Sequence, residues 1–433
     1  MKASRVLLIM ICLVTSLAFG IVYVYRYVYP KDVVASTVSS RSVADASGEA
    51  QAASEDTLVA APTVTYSAFP RLAYVYDGVT VGVTGTKGTE TYLDHYAFGG
   101  YVYVMLSTDT DGEDYRATGP SLAVARFDEG CTLTDTVTLP RSSGYTYLAA
   151  AMYDYGVMLV ASSSTDLRVW TVSTNLTVRT AAYPYVATAA RLLYADGLNV
   201  LCATGDTLHL LALTADLQTA WYHATPTTQS LVALYAYGEQ LVAFCTDRTS
   251  GSAYVFDKQG YRTRAVLPAV SAVTPFAGGY AVASLADCTL SFLDYQFART
   301  GAMTFAAGTR AVRLASYDKG VLLMADGHGY LLCNHGDVQY TFATPLQVAG
   351  TVEWRDDRFY FATAYATTTT VYTYRPFDAA PVESASYVGA ALPDLFVRGG
   401  YVYCLCTSTF DYGYFQGSLG DADVYLLRRS LTS

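Results

Sequence analysis

Apolar residues recur along this chain in short runs, and Gly, Asp or Asn stands at nearly every break. In the stretch 191–225, RLLYAD runs into Gly197, LNVLCAT follows, Gly205-Asp206 makes a second turn, and TLHLLAL, ADLQ and TAWYHAT complete the unit. Runs rich in β-branched, leucine and aromatic residues, separated by residues that tolerate positive φ, predict four short antiparallel strands. The same unit returns as MYDYGVMLVA at 152–161, LYAYGEQLVAFC at 234–245, PFAGGYAVAS at 275–284 and SYDKGVLLMA at 316–325. Its marker glycines, Gly156, Gly197, Gly238, Gly279 and Gly320, follow one another at intervals of 41 residues. A fixed period of that length defines a repeat architecture. A four-stranded sheet of this size cannot bury both faces alone, so the copies must stack around an axis as propeller blades.

An aromatic precedes each marker by three positions: Tyr153, Tyr194, Tyr235, Phe276, Tyr317 and, where Asp357 replaces the glycine, Trp354. One such residue in every blade predicts packing between neighbouring sheets rather than a ligand channel. Further copies at Gly100, Asp357 and Gly400 bring the count to eight. The last copy stops at Ser433 without a fourth strand, and a strand within residues 63–85 is expected to supply it and close the ring. The expectation is an all-β, eight-bladed β-propeller of four-stranded antiparallel blades. Seven blades is the alternative, and the hairpin signal at Asp77-Gly78 is the feature that a count of eight explains least well.

The amino terminus breaks the pattern. Residues 6–25, VLLIMICLVTSLAFGIVYVY, carry no charge and are long enough to cross a bilayer as a helix. Tyr23, Tyr25, Tyr27 and Tyr29 resemble an interfacial belt, while Ala18-Phe19-Gly20 offers a signal-peptidase site. Either reading exports the remainder. The predicted organisation is an N-terminal transmembrane or signal helix at 1–30, a disordered tether at 31–62, and the propeller at 63–433, on the periplasmic or extracellular face.

Composition adds little charge and much tyrosine. Of 433 residues, 52% are hydrophobic and 15% charged, and 39 are Tyr. Beyond the anchor, 24 basic residues face 37 acidic ones, a net charge of −13 that disfavours nucleic acid and anionic lipid surfaces. Seven of the eight cysteines lie outside the anchor, an odd number scattered over different blades, which predicts buried thiols.

The repeat LLYADGLNVLCATGDTLHLLALTADLQTAW resembles quinone-dehydrogenase-like propeller repeats of the BamB type. It shares a hairpin glycine, a second Gly-Asp turn, an apolar strand and a terminal aromatic at Trp221. The resemblance implies a scaffold for protein contacts at the cell envelope.

No hydrolase elbow, HExxH, CxxC or phosphate loop is present. His328 and His335 flank Cys333, but Asn334-His335-Gly336-Asp337 reads as a turn between strands. The alternating acids of residues 107–114, STDTDGED, resemble a calcium loop in which Asp109, Asp111 and Asp114 would be ligands. Calcium is therefore the one cofactor the sequence suggests, against the alternative of a solvated acidic loop.

Two loops between second and third strands are expanded, at 107–120 in the first blade and 408–421 in the last. Ring closure would set them side by side. Tyr115, Tyr145, Tyr147, Asp411, Tyr412, Tyr414, Asp421 and Asp423 are the expected partner-binding residues, because tyrosine brings contact area at low entropic cost. The expected function is a non-enzymatic, membrane-tethered binding or scaffold protein, with an envelope protein or polysaccharide as partner. The alternative is an exported carbohydrate hydrolase or lyase using axial carboxylates, for which Asp94, Asp394 and Glu353 are the candidates near first strands.

Overall fold

The computed structural model describes residues 58–59, 72–84, 89–109, 120–153, 156–184, 190–196, 198–204, 207–247, 249–257, 260–345, 348–365, 368–389, 394–410 and 422–431. The anchor and most of the tether, with Asp111, Asp114, Tyr115, Asp411, Tyr412, Tyr414 and Asp421, lie outside these residues. Among the described residues, no helix is long and apolar enough to cross a membrane.

Eight antiparallel sheets form eight blades. Their first strands are, from blade 1 to blade 8, Glu90–Phe98, Thr146–Tyr153, Ala190–Asp196, Ser230–Tyr237, Ala272–Phe276, Val312–Tyr317, Ala349–Arg355 and Asp394–Arg398. Each first strand contacts that of the next blade through to blade 8, whose second and last strands contact Glu90–Phe98 and complete the ring. First strands therefore line the axis, and successive strands step outward.

Burial follows from this stacking. Second strands are sandwiched on both faces, so Gly156–Ser162 and Gly320–Ala325 are apolar and almost wholly buried. Outer strands such as Arg299–Thr304 keep one side in water and alternate with polar residues. The core is not central. It is divided into eight apolar clusters, one at each interface between neighbouring blades. Of the recurring aromatics, Tyr153, Tyr235, Phe276, Tyr317 and Trp354 belong to these interfaces. Tyr235 donates from its hydroxyl to Val273 O of the next blade (2.8 Å), and the Tyr317 ring packs edge-on against Trp354 of the next (5.4 Å).

The marker glycines have two roles. Gly238 occupies its turn with φ +60°. Gly156, Gly279 and Gly320 instead open their second strands, paired with Tyr153, Phe276 and Tyr317. A side chain there would run into the backbone of the third strand, at Val172 O, Leu293 O and Leu332 O respectively. Their spacing thus records a close strand-to-strand approach as well as a turn.

Closure uses the chain's early segment, as the missing fourth strand required. Val79–Val83 pairs with the last strand, Asp423–Ser430, in the register Thr80↔Arg428 to Val83↔Tyr425. The Asp77-Gly78 hairpin has a place after all: Tyr74–Tyr76 folds back on Val79–Val83 as a fifth, outermost strand. Both turn residues have positive φ, 47° and 74°, as a two-residue hairpin turn of this type demands. A second addition, Leu58–Val59, extends the outer edge of blade 2. A polar clasp holds the seam. Fully buried Glu90 of blade 1 accepts hydrogen bonds from the Thr84 hydroxyl and from Val424 N–H (3.3 Å).

All six cysteines whose side chains are described are free thiols, and Cys131, Cys245, Cys404 and Cys406 are buried. Asn334–Asp337 forms the expected turn, with Gly336 N–H donating to Cys333 O (3.0 Å).

Candidate functional site on the propeller axis

An antiparallel pair leaves every second amide on its outer side, so a first strand turns alternate N–H groups toward the axis without a neighbouring strand to receive them. In blades 1 and 8, carboxylates receive them. Asp94 Oδ1 accepts from His95 N–H (2.7 Å), Asp394 Oδ1 from Leu395 N–H (3.1 Å), and Glu353 Oε2, reaching over from blade 7, from Val397 N–H (2.7 Å). The three carboxylates named from sequence are thus brought to one part of the axis.

Their remaining contacts join into a network. Asp94 Oδ2 accepts from the Tyr147 hydroxyl of blade 2 (3.0 Å), and Asp394 Oδ2 accepts from the Tyr92 hydroxyl of blade 1 (2.9 Å). Tyr92 Oη also lies 2.9 Å from His95 Nδ1. Since its single proton goes to Asp394, the Nδ1 side of the imidazole is the donor in that contact. Asp394 Oδ2 stands 3.5 Å from Nδ1 and completes the orientation of the ring, which stacks on Phe396 at 4.8 Å. Tyr92, Asp94 and His95 can converge because the first strand of blade 1 carries a bulge between Tyr92 and Asp94. A bulge of this kind re-aims the side chains beside it.

The environments separate the acids. Burial raises the Asp94 pKa, and the His95 amide and Tyr147 hydroxyl do not cancel the rise. Burial also raises Asp394, but the hydrogen bond and charge of His95, with the Tyr92 hydroxyl, more than offset it, so its pKa ends below the usual value. Glu353 is raised by burial against the opposing Val397 amide. Tyr92 and Tyr147 are held well above the ordinary phenol value, by burial first and then by the neighbouring aspartates, and so remain donors.

Beside the network lies a cavity of about 470 Å³ lined by His95, Tyr96, Glu353, Arg355, Phe396 and Arg398, with Ala97 and Val397. These residues lie toward the ends of first strands that turn at Gly99-Gly100, Asp356-Asp357 and Gly399-Gly400, all with positive φ. The cavity therefore opens toward the face of the short hairpins. Arg398 is already paired with Glu129 of blade 1 (2.8 Å).

The expanded loops leave from the opposite end of the strands, between Thr108 and Ser121 in blade 1 and between Ser408 and Asp423 in blade 8. Their bases adjoin: Glu90 pairs with Thr108, and its N–H donates to Ala422 O (2.7 Å). Of the residues named for a partner surface, Tyr145 and Tyr147 use their hydroxyls inside the protein. Tyr145 donates to Asp166 (2.5 Å) and packs edge-on against Trp170, and Tyr147 belongs to the axial network. Asp423 begins the last strand opposite Ser408. Asp109 donates its backbone N–H to Thr89 O (3.3 Å), and its buried Oδ1 has no hydrogen-bond partner among the described residues.

Sequence reasoning passed over Tyr92, His95, Arg355, Phe396 and Arg398. One signal was available. Residues 94–103, DHYAFGGYVY, and 394–403, DLFVRGGYVY, place an Asp six residues before the same glycine of a shared GGYVY hairpin.

The fold and this site define an eight-bladed β-propeller with a polar axial centre at its closure. No protein-family profile and no curated protein matches the sequence. Among solved structures it is similar to the Dos1 propeller, at 8% identity and a TM-score of 0.52 over 83% of this chain and 95% of that one. It is also similar to the dihydro-heme d1 dehydrogenase NirN, at 13% identity, TM-score 0.46, over 73% and 77%. A third likeness is the β-propeller domain of the trilobed protease of Pyrococcus furiosus, at 8% identity, TM-score 0.42, over 80% and 97%. At such identities the first of these speaks for the fold alone.

Proposed function

We propose that this chain is a non-enzymatic binding or scaffold protein of the cell envelope, tethered to the membrane through residues 1–30 with its propeller exported. Its partner is an envelope protein or polysaccharide, and the axial cavity receives a polar, anionic group of that partner. One observation carries the reading. The described wall of the cavity offers the guanidinium of Arg355, the Glu129-paired guanidinium of Arg398, an imidazole and one carboxylate, Glu353, around a volume suited to a sugar unit or the tip of a loop. That wall favours recognition over acid–base chemistry, which needs a second proton-transferring carboxylate in the same space. The uncharged apolar run of residues 6–25 and the resemblance of the repeats to BamB-type scaffolds support the same location. The adjoining bases of the two expanded loops support a second contact area on the opposite face, with calcium at Asp109, Asp111 and Asp114 as its candidate cofactor.

The test is titration of the full-length protein with neutral and uronate-bearing polysaccharides at two salt concentrations. Binding of the acidic chain, weakened by salt and at least about tenfold by Arg355→Ala, is expected. Equal affinity of the variant and the parent would place recognition elsewhere.

A hydrolase or lyase is the second reading, favoured by the opposed pKa directions of Asp94 and Asp394. Release of reducing ends or of an unsaturated uronate product, abolished by Asp94→Asn, would establish it in place of the first.

A further inference from the structure

We propose that Asp94, His95 and Asp394 form a binding site for a divalent transition-metal ion, of the zinc or manganese class, at the seam where blade 8 meets blade 1. One carboxylate oxygen from each aspartate and one imidazole nitrogen lie within 4.8 Å of one another. Three such atoms at that separation can converge on one ion at ordinary metal–ligand distances of about 2.0–2.2 Å with little side-chain movement. The mixed set of imidazole and carboxylate suits zinc or manganese better than calcium or magnesium, which take oxygen ligands.

The other blades show that the fold does not require acids here. Asp94 pairs with Met105 and Asp394 with Leu405, each four residues before its hairpin. The same register holds Ala149, Leu192, Ala233 and Ala272 in blades 2 to 5. Blades 2, 3 and 4 even repeat the bulge of blade 1 at this point, without an acid after it. Blade 6 has Arg313 at this register, so inner-edge amides and bulges are accommodated without an acid in blades 2 to 6, and the acids at this register belong to the two blades that ring closure brings together. Placing two carboxylates so close in a half-buried site is unfavourable by mutual repulsion and desolvation. Tyr92, Tyr147 and His95 relieve this in part, and a cation would relieve more of it.

The surroundings resemble a ligand's support. Tyr92 contacts both Asp394 and His95, Tyr147 holds Asp94, and Phe396 fixes the imidazole plane, so each candidate ligand is oriented by a second residue. His95 also lines the axial cavity, so an ion would stand at the cavity's inner wall. The inference does not rest on the binding reading above, since the ion itself is the ligand tested.

The experiment uses full-length protein freed of metal with a chelator and titrated calorimetrically with Zn²⁺ and Mn²⁺, with Ca²⁺ and Mg²⁺ as controls. One equivalent of Zn²⁺ or Mn²⁺ per chain is expected, with weak or no uptake of Ca²⁺ at this site. Asp394→Asn and His95→Gln should each weaken binding by more than about tenfold, while the double variant His328→Gln/His335→Gln should bind as the parent does. Each variant's melting curve reports whether it folds. Should Asp394→Asn not fold, broadening of the His95 ring signals of the parent by Mn²⁺ gives the location independently. Absence of saturable Zn²⁺ and Mn²⁺ binding by the parent, or binding untouched by His95→Gln, overturns the proposal.

Discussion

Asp94 and Asp394 occupy the same register of adjacent first strands although 300 residues separate them in sequence. Equal position has not given equal behaviour. Both accept a backbone amide, but Asp394 also takes the Tyr92 hydroxyl and the imidazole of His95, while Asp94 takes the Tyr147 hydroxyl. One pKa is lowered and the other raised.

Opposite shifts predict opposite pH slopes. A lowered native pKa means that Asp394 stabilises the fold above the ordinary aspartate range, and that this contribution is lost as pH falls through the native value. A raised pKa means that Asp94 favours the fold when protonated, and that stability declines as pH rises from the ordinary value through the native one. At neutral pH, Asp394→Asn should therefore cost on the order of 1–2 kcal/mol and Asp94→Asn less. Thermal melts between acid and neutral pH should show a flatter decline toward acid for Asp394→Asn and a flatter decline toward neutrality for Asp94→Asn. Identical profiles for the two variants would contradict this account.

Gly82 sits in the closing strand, where an added Cβ would press into the Cys131 carbonyl of blade 1. The nearest atom is a main-chain carbonyl oxygen, so relief requires a shift of the strand itself. Gly82→Ala is expected to destabilise by about 1–3 kcal/mol. A control at Gly78, where a Cβ meets nothing but φ is +74°, should cost less and only through backbone strain. Denaturant midpoints of the two variants make the comparison.

The Glu90 clasp ties three chain segments at the seam. Glu90→Ala leaves Val424 N–H and the Thr84 hydroxyl without that acceptor in a buried site. A loss of about 3 kcal/mol is expected. Amide hydrogen exchange should accelerate first in Val79–Val83 and Asp423–Ser430, and uniform acceleration around the ring would contradict a local seam.

Between blades 4 and 5, Tyr235→Phe removes one hydrogen bond to Val273 O while keeping the ring against Tyr280. A cost of about 1 kcal/mol is expected, with Tyr235→Ala costing about 3–5 kcal/mol because the ring's packing is lost as well. Equal costs would mean that the ring adds nothing to the interface.

The sequence by itself determined the class of fold, because a period of 41 residues and four apolar runs per copy leave one way to bury every sheet. It also carried the expectation that an early strand completes the last blade, and Val79–Val83 does so. The role of the marker glycines was only half visible. Gly156, Gly279 and Gly320 answer to a carbonyl on the third strand, a contact no local pattern displays. The site lay further beyond reach. Asp94, Asp394 and Glu353 could be named as acids near first strands, but their convergence depends on which blades become neighbours, and that is decided when Val79–Val83 pairs with Asp423–Ser430. His95 gained its place in the same way. In the sequence it is one isolated histidine, and only closure brings Asp394 and Phe396 from the far end of the chain against its ring, because these contacts are made across the seam and not along a strand.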